Sequence, residues 1–75
     1  MVNVGAAQIS RQSMLDIVAG LHVAVMNDGK HKGKTFDAIY HSDHQYLRWL
    51  RDHKGQITNS GTMLLMMYGE FRDRM

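Results

Sequence analysis

Residues 22–36 read His22-Val23-Ala24-Val25-Met26-Asn27-Asp28-Gly29-Lys30-His31-Lys32-Gly33-Lys34-Thr35-Phe36, and the fold class turns on this stretch. His22 to Met26 places β-branched Val23 and Val25 two positions apart, the pattern of a strand. Asn27-Asp28-Gly29 is a turn signal. Lys30 to Lys34 is too polar and too glycine-flanked for a core element, and Thr35-Phe36 reads as a brief returning strand. The expectation is an α+β fold, a small β-hairpin packed against two or three short helices.

The flanks read as helices. Ser10 is a good N-cap, and Met14, Ile17, Val18 and Leu21 follow it at helical spacing, with Gly20 weakening the end. Asp37 to Tyr40 is long enough for one helical turn. Ser42 then caps a clearer helix over 43–54 that Gly55 ends as a C-cap. Its apolar face is Tyr46, Trp49 and Leu50 with Leu47 beside them, which assigns Trp49 to the core. Its other face carries His44, Arg48 and Arg51. The last helix starts near Asn59 or Ser60 and runs towards Arg74, with a stripe of Leu64, Met67, Tyr68 and Phe71. Residues 1–9 have no clear period and are expected to form a flexible N-terminus before a single domain at 10–75.

With 75 residues the chain fits one domain near the lower size limit for a self-sufficient core. It has no cysteine, which excludes disulfides and thiolate metal sites. No secretory signal or membrane-length apolar run is visible, so a cytoplasmic location is expected. Nine Lys and Arg stand against seven Asp and Glu, a net charge of +2 that does not itself imply a nucleic-acid partner. The surplus is local: Lys30, Lys32, Lys34, Arg48, Arg51 and Lys54 fall among only three acids, Asp37, Asp43 and Asp52.

Five chemistries come into question. Gly33-Lys34-Thr35 matches the end of a phosphate-binding P-loop, but the required first glycine is replaced by Asp28, whose carboxylate repels phosphate. His41 and His44 share a helical face but make only half a zinc site. Paired acids of the Asp-x-Glu kind are missing, and no strained nucleophile elbow appears, so an enzyme is not expected and no cofactor is implied. The run Met63 to Met67 offers an adaptable apolar surface for a protein partner or a central core helix. The basic turn at Lys30, His31, Lys32 and Lys34, extended by Arg48 and Arg51, presents cations to a phosphate backbone.

Two motifs in order, Gly29-Lys30-His31-Lys32-Gly33-Lys34-Thr35-Phe36 and, after Ile39 and Asp43, Tyr46-Leu47-Arg48-Trp49-Leu50, carry a resemblance. They resemble the small domain at the C-terminal end of exodeoxyribonuclease X-like proteins, copies of which stand alone in bacteria and phages. The resemblance implies an accessory domain without catalysis that contacts nucleic acid. The expected function is non-enzymatic nucleic-acid binding through Lys30, His31, Lys32, Lys34, Arg48 and Arg51. The alternative is a small phage-encoded regulator that binds a host protein such as RNA polymerase and modulates transcription.

Overall fold

The computed structural model describes residues 10–75, so the expectation for residues 1–9 lies outside the described part. The first helix, α1 (Arg11–Leu21), starts where its cap dictates. The Ser10 side chain accepts a hydrogen bond from the Ser13 amide at 3.0 Å. Val18 is buried, and Met14, Ile17 and Leu21 pack against the core beside it, the stripe that the spacing predicts.

The expected hairpin does not form, and the fold is all-α instead of α+β. Among the described residues there is no strand. Val25 and Thr35 meet in an isolated antiparallel bridge. Around it Phe36 N donates to Ala24 O at 2.8 Å and Met26 N to Lys34 O at 2.9 Å. Two features stop the pairing from growing. Val23 and Val25 are 71% and 48% exposed, so the side that carries the β-branched residues faces solvent, and only Ala24 and Met26 turn to the core. Thr35, the returning residue, is also the N-cap of the next helix, its hydroxyl accepting from Ala38 N at 3.0 Å. Helix α2 (Phe36–Ser42) therefore begins where a second strand would have to continue.

The third helix, α3, spans His44–Asp52 and has Asp43 at its N-cap position, without a side-chain cap hydrogen bond, in place of Ser42, which belongs to α2. It ends at His53, and Gly55 lies in a 3-10 turn at Lys54–Gln56 instead of forming a cap. Helix α4 (Ser60–Arg74) opens on Asn59, whose side chain accepts from Thr62 N at 2.9 Å.

The buried face of α4 is Leu65, Met66, Tyr68, Gly69 and Phe71, whereas Leu64 is 42% exposed. The expected stripe is thus rotated, and Gly69 shows why. A methyl group there would stand 3.1–3.2 Å from Leu47 side-chain carbons, so α3 and α4 touch at this residue and their contact sets the orientation. Ile39, Leu47, Leu65 and Tyr68 are the most deeply buried large side chains, and Phe36 and Leu50 close the core beside them. None of the described helices is long and apolar enough to cross a membrane.

Candidate functional site

The basic turn is built on two glycines. Gly29 (φ 82°) and Gly33 (φ 88°) both lie in the left-handed region that side chains avoid. The space where each would carry a Cβ is open, so they serve the path of the chain and not a close approach. Gly33 N donates to Met26 O, and Lys32 N to Gly29 O, which folds the turn onto itself.

The turn is pinned at both ends. The Asn59 amide donates to the Asp28 carboxylate at 3.3 Å. Asp43, at the head of α3, receives Lys30 Nζ at 3.3 Å and His31 Nε2 at 3.1 Å on one oxygen. Desolvation pushes the Asp43 carboxyl up, but the hydrogen bonds from Lys30 and His31 and the Lys30 charge outweigh it and hold the group below its usual range. Lys30 also lies over the Tyr46 ring, 4.7 Å from its centroid.

The six expected contact residues therefore divide. His31 is 7% exposed and packs tilted on Tyr46, so it supports the turn from within instead of facing a ligand. Arg51 is drawn to the end of α4, where its guanidinium meets Asp73 at 2.9 Å. Lys30 is exposed but shared with Asp43. Lys32, Lys34 and Arg48 are exposed, with no ion pair among the described residues. The P-loop fragment is spent on structure, since Thr35 caps α2.

Trp49 reverses the sequence expectation. It is 51% exposed and lies outside the core. The reason is helical geometry: at about 100° per residue, Trp49 projects roughly 130° away from the mean direction of buried Leu47 and Leu50. That angle follows from the sequence once Leu47 and Leu50, and not Tyr46 and Leu50, are taken as the inward pair. Trp49 anchors a row of rings along α3. His53 stacks on it with centroids 4.1 Å apart and planes 19° from parallel. Tyr46 lies on the row at 6.4 Å, only 8° from parallel. Two open clefts meet at Trp49, one lined by Lys30, Asp43, Gln45 and Tyr46, the other by Gln45, Arg48 and Asp52.

No protein-family model, curated protein or solved structure matches the chain.

The remaining polar groups knit helices together. Asp37 on α2 accepts from the Tyr68 hydroxyl at 2.9 Å and from Arg72, with His22 and His41 at 3.4 and 3.5 Å. Asp73 accepts from the Tyr40 hydroxyl at 2.6 Å and from His44 at 3.0 Å, besides Arg51. His41 and His44 thus turn to different carboxylates and do not converge. The methionine run is also used internally: Leu65 and Met66 are buried, and Met63 and Met67 pack against the core.

Proposed function

We propose that the chain is a non-enzymatic nucleic-acid-binding module acting in the cytoplasm. Its contact face joins the turn Gly29–Lys34 to the outer side of α3. The observation that carries this reading is the junction at Tyr46. There Lys30 ties a turn bearing the exposed cations Lys32 and Lys34 to a row of rings in which Trp49 is exposed between half-buried Tyr46 and His53, with Arg48 beside it. Cations attract a phosphate backbone whatever its sequence, and flat exposed rings suit bases. Relative to the sequence expectation the face loses His31 and Arg51 and gains Trp49 and Tyr46. The resemblance of the Gly29–Phe36 and Tyr46–Leu50 motifs to the exodeoxyribonuclease X-like small domain supports the same reading.

The test is fluorescence anisotropy with labelled single- and double-stranded DNA and RNA at low salt. Binding to at least one of these, weakened by the triple substitution Lys32→Ala/Lys34→Ala/Arg48→Ala, is expected. Absence of binding to all four at low salt contradicts the proposal.

A further inference from the structure

The two sides of the Trp49 ring differ. One is covered by His53 at 4.1 Å. That imidazole is itself fixed: Nδ1 lies 2.9 Å from Trp49 O, and because a carbonyl only accepts, Nδ1 carries the proton and donates. Towards Tyr46 the rings are nearly parallel, yet 6.4 Å between centroids is too long for direct face-to-face contact. The space beside these two rings is the cleft whose other walls are Lys30, Asp43 and Gln45. It offers the exposed Trp49 ring, an amide at its side and the Lys30 ammonium at its rim, with the Tyr46 ring, over which Lys30 lies, at its inner end.

We propose that this cleft receives one unpaired nucleobase of a single-stranded nucleic acid, stacked on Trp49. The proposal rests on the nucleic-acid reading above and narrows it to single strands. A flat ring entering the cleft meets aromatic surface that a paired base inside a duplex cannot reach, because both its faces are already stacked on neighbours. The Gln45 amide has a donor and an acceptor to offer a base edge. Charge complementarity extends on both sides. Arg48 borders the adjoining cleft at Trp49, where the Asp52 carboxylate offsets part of its charge, and Lys32 and Lys34 rise from the turn that supplies Lys30. Asp43 does not oppose the phosphates as a bare charge, since Lys30 and His31 already engage it.

The chain has one tryptophan, so its fluorescence reports the site directly. A dT12 single strand is titrated into the protein, in parallel with the dT12–dA12 duplex and with thymidine monophosphate. Quenching by the single strand at concentrations at least tenfold below those needed for the duplex or the mononucleotide is expected. In anisotropy with labelled dT12, Trp49→Ala weakens binding by about tenfold or more, and Trp49→Phe recovers part of the loss. Far-UV circular dichroism checks that both variants fold, which the exposure of Trp49 favours. Equal binding of duplex and single strand with no effect of Trp49→Ala overturns the base cleft and leaves the basic-face reading standing. Mononucleotide binding as tight as dT12 overturns the single-strand assignment. Failure to bind any nucleic acid overturns both readings.

Discussion

Trp49 and His53 stack on the solvent side of α3, one helical turn apart, and the His53 ring is fixed by its bond to the Trp49 carbonyl. The imidazole therefore restricts the rotamers of an exposed indole that solvent would otherwise leave free. Replacing His53 by Ala is expected to loosen Trp49 with little change in fold stability, within about 0.5 kcal/mol as for most surface changes. Time-resolved anisotropy of the indole checks this. A larger fast-decaying component in His53→Ala is the expected result.

Asp43 is the hinge post of the basic turn, because Lys30 and His31 both end on it. Asp43→Ala removes the partner of a buried imidazole and frees the lysine. Hydrogen exchange of the amides in 29–34 is then expected to accelerate, while the α4 amides around Leu65 keep their protection. Unchanged exchange in the turn would show that its glycines, its backbone bonds and the Asn59–Asp28 contact hold it without Asp43.

Three carboxylates sit below their usual range in the folded chain. For Asp37 burial pushes upward, but hydrogen bonds from Tyr68 and Arg72 and the neighbouring positive charge outweigh it. Asp73 has the same balance, with Tyr40 and His44 as its principal donors, and Asp43 is held by Lys30 and His31. A carboxylate lowered on folding contributes stability that is complete above its unfolded value, about 3.9, and is lost as pH falls through the folded value. The melting temperature is therefore expected to drop below about pH 4. Asp37→Asn should lower it at pH 7 and shrink the acid-side loss, as a thermal melt series across pH will read.

The α3–α4 contact predicts a size limit at Gly69. Even a single methyl group there would crowd Leu47, so a branched side chain must displace a buried leucine. Gly69→Val is expected to cost about 1–3 kcal/mol in urea unfolding, the usual penalty of overpacking. Gly20→Val, at an exposed position of α1 with open space around it, should cost less.

The legible parts of this fold were those governed by local chemistry. The caps at Ser10 and Asn59, the α1 stripe and the span of α4 follow from neighbouring residues alone. What misled was Val23 and Val25, whose branching suggests a strand although nothing packs over them to make one. Trp49 misled in the opposite sense, since size and hydrophobicity suggested burial while the Leu47–Leu50 direction turned it outward. The fate of His31 and Arg51 depended on tertiary partners, Asp43 and Asp73, too far along the chain for any local pattern to reveal.

Function on this reading depends on Lys32, Lys34 and Arg48 neutralising phosphates. The quantity closest to that is the slope of log K against log salt concentration for a labelled oligonucleotide, taken for the wild type and for Lys32→Ala/Lys34→Ala. Each lost phosphate contact should reduce the slope by about 0.7–0.9, so a clearly flatter line is expected for the double variant. Identical slopes, with binding otherwise intact, would show that these lysines do not meet phosphate and would contradict the proposed face.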